Sequence, residues 1–260
     1  RVAGSKTWRV TVPWWRGDVA QPHDLVEEVA RAYGYDAITP AMPSGSIPLR
    51  SPEPVYRAAE VARTLLVNLG YTELVTYSLV SQRLVQAAGI DPRQCLRVVN
   101  PLSAEFEVLR PALVPSVLAV AGENVKRLRS QQLFELSRVF RPSERGELPE
   151  ERLRLVAAVG GDSDEVFYVA RGVAELLLRE LGITAEFAPL DGDETWQAGV
   201  ELKVGDEAVG IVGLAARPFA ERFGLQRDTA VVNLDFTTLA ILASDARQYT
   251  PIPAFPGASR

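Results

Sequence analysis

Three observations predict an α+β fold with a largely antiparallel sheet and flanking helices. Candidate strands cluster instead of alternating regularly with helices, which disfavours a doubly wound parallel sheet. Long amphipathic helices are legible over 54–69, 112–128 and 166–181. The C-terminal third then alternates apolar and polar residues in short runs bounded by turn residues, as half-buried strands do.

Taken in order, Thr7–Val12 (TWRVTV) alternates and predicts a strand ended by Pro13. Residues 24–34 predict a short amphipathic helix with Leu25, Val29 and Ala32 on one face and Gly34 as its stop. Residues 39–54 contain Pro40, Pro43, Pro48, Pro52 and Pro54, the best linker composition in the chain, so a domain boundary is expected near 40–50. Pro54 suits a first helical position, and Val55, Ala58, Ala62, Leu65 and Leu69 follow at helical spacing up to Gly70. A strand is expected over 72–79 and another over 96–99, the latter followed by a turn at Asn100-Pro101-Leu102-Ser103 with Ser103 as a possible helix cap. After the 112–128 helix, strands are expected at 131–136, leading into Arg138-Val139-Phe140, and at 152–159. The 166–181 helix stops at Gly182. Strands at 198–204, 207–214 and 229–235 complete the set, with a hairpin turn at Gly205-Asp206 and a short helix near 217–223.

Composition narrows the chemistry. The 260 residues carry a net charge of −5, with 47% hydrophobic and 23% charged residues, proportions of a globular protein. No run of about 18 apolar residues predicts a membrane helix, and RVAGSKTWRV has no apolar core of a signal peptide. One cysteine, Cys95, cannot make an internal disulfide and suits a reducing, cytoplasmic location. One histidine, His23, excludes multi-histidine sites, and Cys/His structural zinc fails by count. Only Lys6, Lys126 and Lys203 among the 28 basic residues are lysine. Net acidity argues against wholesale coating of nucleic acid but leaves room for a local basic patch. The chain starts at Arg1, and its single methionine, Met42, is internal, so a fragment of a longer protein is expected.

The densest chemistry lies in 13–36. Asp18, Asp24, Glu27 and Glu28 place four carboxylates within eleven residues. Such oxygens suit a hard cation such as Mg²⁺, which takes one or two carboxylates and keeps several waters. Asp24-x-x-Glu27 also has the form of a capping box, and acids in a first turn favour the helix dipole, so spacing alone leaves both readings open. Trp14, Trp15 and Arg16 suit stacking on bases, or core or interface packing. His23 reads as a surface loop residue. Arg110 at the mouth of the 112–128 helix would hold an anion or pair with Glu105 or Glu107, the pairing being the simpler account. Gly160-Gly161-Asp162-Ser163-Asp164 lacks the Lys-Ser/Thr of a phosphate loop, and Asp191-Gly192-Asp193-Glu194 misses calcium-loop spacing; both read as turns. A magnesium-dependent hydrolase would need a second ligand set and a base that the chain lacks.

Several segments, in order, resemble the bacterial phenylalanyl-tRNA synthetase β-subunit family. VTVPWWRGDVAQPHDLVEEVARAYGYDAI resembles its VP-x-WR-x-D…DL-x-EE-x-AR-x-YGY-D signature, and LGYTELVTYSLV its GY-x-E-x-x-x-YS segment. NPLSAEFEVLRPALVPSVLAVAGENVKR resembles the NPLS…LR-x-x-L-x-P block, and QLFELSRVF resembles LFE-x-G-x-VF with Ser137 for the usual glycine. YTPIPAFPGASR resembles the opening of the following domain.

The resemblance implies residues 1–40 as the end of a B5-type domain, 41–50 as linker, 51–245 as a catalytically silent module and 246–260 as linker to a further domain. The module implied is an antiparallel class II aminoacyl-tRNA synthetase-like sheet with flanking helices, preceded by part of a smaller domain. Consistent with silence, the chain has neither an F-R-x-E pair nor a G-x-G-x-x-R segment of the kind class II enzymes use on ATP. The family's Mg²⁺, shared with the α subunit, maps onto Asp18, Asp24, Glu27 and Glu28. The implied partners are the α subunit and tRNA(Phe) in an α2β2 heterotetramer that uses ATP, with chemistry on α. Where the family commonly has His-Pro-Gly, this chain has Trp196-Gln197-Ala198-Gly199. Where it has G-E-x-H-P, this chain has Gly213-Leu214-Ala215-Ala216-Arg217-Pro218. A free-standing synthetase-like paralogue that binds an amino acid or nucleotide is the alternative, and it requires a retained pocket in the sheet.

Overall fold

The computed structural model describes residues 8–47, 51–143, 148–161 and 165–244. Its contacts fall into two compact units, Arg1–Arg50 and Ser51–Arg260.

In the first unit, helix α1 (Pro22–Tyr33) is followed by a 3-10 turn, Tyr35–Ala37. The helix begins two residues before the expected start because Pro22 takes a first-turn position, where its missing N–H costs nothing. Asp24 is therefore not the cap but the third residue of the first turn, and Glu27 and Glu28 fall in the second turn. Gly34 closes the helix at φ +95°, a conformation that favours glycine, with its N–H on the Ala30 carbonyl. Residues 8–12 form no strand: no other strand exists among the described residues of this unit, and a ladder needs a partner. No residue of α1 is buried.

The second unit is built on a seven-stranded sheet. Its strands are β1 (Thr72–Glu73), β4 (Gln131–Arg141), β5 (Glu150–Gly161), β9 (Asp228–Asp235), β8 (Glu207–Ala215), β7 (Trp196–Val204) and β6 (Glu186–Leu190), in that spatial order. Only the β1–β4 pair is parallel; every other pairing is antiparallel. A separate ribbon pairs β2 (Leu79–Val80) with β3 (Val108–Leu109). The 72–79 run thus splits between two sheets instead of forming one strand, and 96–99 contributes a single bridge, Arg97 to Val108.

Alternation along β5 explains its unbroken apolar run. Leu155, Ala157 and Val159 join a core with α2 (Pro54–Asn68), α5 (Val166–Glu180) and α7 (Phe236–Leu242), while Val156 and Ala158 join a second core on the other face with α4 (Val114–Asn124) and α6 (Arg217–Glu221). A strand covered on both sides has no polar face to alternate with. The helix expected over 112–128 ends at Asn124. The 204–207 turn is the two-residue hairpin expected, with Val204 opposite Glu207. Strand β6 and helices α3 (Gln82–Ala87) and α7 carry too little periodicity to predict. Asp162–Asp164 and residues 246–260 lie outside the described residues.

Trp196 shows how the departure from His-Pro-Gly packs. Its indole is buried and lies over Gly213, where an added Cβ would meet Trp196 Cε3 at 2.5 Å. Phe219 flanks the indole at a centroid distance of 6.3 Å.

Candidate functional site

The four acidic residues do not share one cavity. Arg16 draws two of them together: its Nη2 donates to Asp18 Oδ2 at 2.7 Å and to Glu28 Oε1 at 2.6 Å, and Arg31 also binds Glu28. Asp24 faces another way. Its Oδ2 accepts the backbone N–H groups of Ala20 (2.8 Å) and Gln21 (2.7 Å), and His23 Nε2 lies 3.5 Å from its Oδ1. Asp24 thus satisfies N–H groups that helix formation leaves without partners. Glu27 is exposed.

The electrostatics follow from these contacts. The Arg16 guanidinium holds the Asp18 and Glu28 carboxyls below the usual carboxylate range, and the Gln21 and Ala20 N–H groups do the same for Asp24. Among the described residues no group of three or more Asp, Glu, His or Cys is arranged to hold a metal ion. As folded, the set does not fit a four-carboxylate site, because Arg16 already bridges two members and the helix N-terminus uses a third.

Trp14 and Trp15 meet edge to face at 5.8 Å and are 90% and 66% exposed, so neither packs into a core among the described residues. Trp8, Val10, Val26, Val29 and Tyr33 are likewise exposed, so the first unit presents an apolar surface.

Arg110 pairs with neither Glu105 nor Glu107. It is 1% exposed and reaches Glu135 on β4 at 3.0 Å, with Thr76 Oγ1 at 2.7 Å and the Arg138 carbonyl at 2.9 Å. Ser137 Oγ also accepts from its Nη2 at 2.5 Å. Glu135 in turn accepts from Thr76 Oγ1 at 2.7 Å. Every group of this buried cluster has a partner, which is what makes its burial tolerable. Reading the residues in sequence missed Glu135. The signal was an acid inside the apolar run Leu133-Phe134-Glu135-Leu136, at a place where only a paired charge survives burial.

Further along the same sheet, Arg154 Nη2 donates to Asn233 Oδ1 at 2.8 Å and Arg152 Nη2 to Asp235 Oδ2 at 2.8 Å. Burial lowers the Arg154 pKa, offset by the Asp235 charge. Arg152 and Arg154 on β5 thus bind Asp235 and Asn233 on β9. Ser103 caps a turn, not a helix, accepting from Glu105 N–H at 3.2 Å. Asp193 closes the 191–194 turn by accepting from the Thr195 and Trp196 N–H groups at 2.7 and 2.6 Å. Among the described residues no helix is long and apolar enough to cross a membrane.

Comparison with known proteins matches these features. The family described as the phenylalanyl tRNA synthetase beta chain CLM domain matches residues 38–236, and the tRNA synthetase B5 domain matches residues 1–35. The phenylalanine–tRNA ligase beta subunit of Dehalococcoides mccartyi (strain ATCC BAA-2266 / KCTC 15142 / 195) is 32% identical over 264 residues, covering 95% of this chain and 32% of that protein. The Staphylococcus aureus beta subunit is 33% identical over 270 residues, covering 96% of this chain and 33% of its own. The chain thus spans about a third of the length of the curated relatives it matches. Pyrrolysyl-tRNA synthetase from Desulfitobacterium hafniense superimposes with a TM-score of 0.63 at 16% identity, over 72% of this chain and 68% of that one. At that identity the likeness shows a synthetase-like fold alone.

Proposed function

Because this chain belongs to the phenylalanyl-tRNA synthetase beta-chain family, we propose that it is a non-catalytic packing and interaction module of a phenylalanine–tRNA ligase β subunit. The assembly would charge tRNA(Phe) with phenylalanine, using ATP, in the cytoplasm, with the chemistry on an α subunit in an α2β2 heterotetramer. The observation that carries this reading is the family match across residues 38–236. The paired polar groups on the sheet support the non-catalytic part. An adenylate-forming site needs unengaged cations and donors aimed at developing charge, whereas Arg110, Arg152 and Arg154 are each bound to sheet or loop partners.

Domain limits of 1–40, 41–50, 51–245 and 246–260 belong to the same proposal, as does a Mg²⁺ ion shared with the α subunit near Asp18, Asp24, Glu27 and Glu28. A shared ion needs only one or two carboxylates from this chain. That is a smaller demand than the four-carboxylate site the fold does not offer.

The test is co-expression of the parent β subunit with its α subunit. The expected result is a stoichiometric complex that charges tRNA(Phe), with no phenylalanine-dependent ATP–pyrophosphate exchange by this chain alone. Exchange by the chain alone would refute the non-catalytic assignment.

A further inference from the structure

Cations in the second unit are mostly neutralised where they stand. Arg63 binds Glu73, Arg93 binds Asp91, Arg138 lies near Glu151, Arg171 binds Glu175 and Arg217 binds Glu221. Among the described residues the exposed Arg97, Arg141 and Arg179 have no ion-pair partner, and three further cations without one share a groove. A groove of about 780 Å³ opens between α3, α4 and the segment after α6, and Arg83 of α3, Lys126 just past the end of α4 and Arg222 just past the end of α6 line it. All three are exposed. Among the described residues Arg83 and Lys126 have no hydrogen-bond or ion-pair partner, and Arg222 has only a long 3.5 Å contact from its Nη1 to the Ala87 carbonyl. Arg127 and Arg129 follow Lys126, both exposed and without a carboxylate partner among the described residues. Glu123 is the one carboxylate in the lining. A chain of net charge −5 therefore sets three cations against one carboxylate in this groove.

We propose that this groove receives the phosphodiester backbone of a helical segment of RNA. The inference rests on the function proposed above, which brings tRNA to the assembly. Unpaired arginine and lysine around a concave surface are the footprint of phosphate binding, which holds position without reading sequence. The groove carries no exposed aromatic side chain: its one ring, Phe223, is buried. Single-stranded recognition stacks bases on such rings, so the absence favours a backbone whose bases are already stacked. A protein partner would ask for apolar anchors at the centre of the contact and few charges there. The groove instead carries three cations against one carboxylate, set beside the apolar Leu84, Ala87, Ala119 and Val125.

The test uses the complete α–β assembly carrying Arg83→Gln, Lys126→Gln and Arg222→Gln together. The substitutions lie on exposed side chains, so the fold is retained, and a companion assembly with Arg83→Lys and Arg222→Lys preserves the charge. Binding of tRNA(Phe), and of a tRNA for another amino acid, is measured across a series of salt concentrations. The expected result is a loss of affinity on the order of ten-fold at low salt, equal for both RNAs. The slope of log affinity against log salt should become shallower by about 2–3, as loss of three phosphate contacts requires. The lysine variant should bind as the unaltered assembly does, and phenylalanine-dependent ATP–pyrophosphate exchange should not change. Unchanged affinity and slope in the triple variant, with normal charging by the unaltered assembly, would overturn the groove assignment alone. Loss of α-subunit association with RNA binding intact would overturn it in favour of a protein contact. An unaltered assembly that neither binds nor charges tRNA would overturn the proposed function and the groove with it.

Discussion

Glu135 on β4 and Arg110 beside β3 form an ion pair at 3.0 Å with side chains only 2% and 1% exposed. Charges that deep are tolerated because Thr76, Ser137 and the Arg138 carbonyl complete their hydrogen bonds. The pair joins the β2–β3 ribbon to the large sheet, since Arg110 N–H also binds the Ser78 carbonyl and Phe140 N–H the Arg110 carbonyl. Removing one partner strands the other. Glu135→Leu or Arg110→Met alone should each destabilise the chain by about 3–5 kcal/mol in urea unfolding. The double apolar variant should recover a large part of that loss, because no unpaired charge remains. Single-variant losses that simply add in the double variant would show that the two residues are not coupled.

The contact of Trp196 with Gly213 makes a second prediction. A methyl group at 213 would press on the indole at 2.5 Å. Gly213→Ala should cost about 1–3 kcal/mol through overpacking, seen as a lower unfolding midpoint and a changed near-ultraviolet tryptophan signal. Adding Trp196→Leu should relieve most of the Gly213→Ala penalty. Equal stability of Gly213→Ala and the unaltered chain would mean that the indole moves aside freely.

These two contacts also show where reading the sequence succeeds and where it stops. The helices 54–68 and 166–180 were legible because each buries one periodic face, and β5 was legible as an apolar run bounded by turn residues although both its faces are covered. The boundaries of α1 shifted because Pro22 and Asp24 together define the first turn, and the spacing of apolar residues says nothing about that. The 72–79 run misled because its β propensity was real but its pairing was divided between β4 and β3, a tertiary choice. The acidic set was legible as a cluster in sequence and not as a geometry. Residues four apart on a helix can share a face, but Arg16, from outside the helix, decides which carboxylates meet.

Acid should loosen α1 in a defined direction. The carboxyls of Asp24, Asp18 and Glu28 are held below their ordinary range by N–H donors and by Arg16. A lowered folded-state pKa contributes stability that is fully present above the unfolded value, near pH 4, and is lost as pH falls through the lowered folded value. Protection factors for amide exchange at Ala20 and Gln21 and along α1, taken against the intrinsic rate at each pH, should therefore hold from neutral pH to about pH 5 and fall on further acidification. In Asp24→Asn the amides of Ala20 and Gln21 should exchange faster at neutral pH and show a weaker acid response. Protection factors in the unaltered chain that do not change down to about pH 2 would contradict the assigned N–H to carboxylate bonds.

Magnesium provides the last prediction. Glu27 is exposed, and Glu28 is held by Arg16 and Arg31. A cation shared with a partner subunit would therefore reach Glu27 without displacing a bond and compete with two guanidinium groups for Glu28. Two consequences separate this from a purely structural cluster. In the full assembly, Glu27→Ala with Glu28→Ala should weaken subunit association in a way that added Mg²⁺ cannot restore. Arg16→Gln, which frees Asp18 and leaves Glu28 to Arg31 alone, should instead lower the Mg²⁺ concentration at which association is half-maximal. Sedimentation or light scattering across a Mg²⁺ titration reads both effects. If neither variant moves the titration midpoint, the acidic set serves Arg16 and the helix N-terminus, and the metal assignment fails.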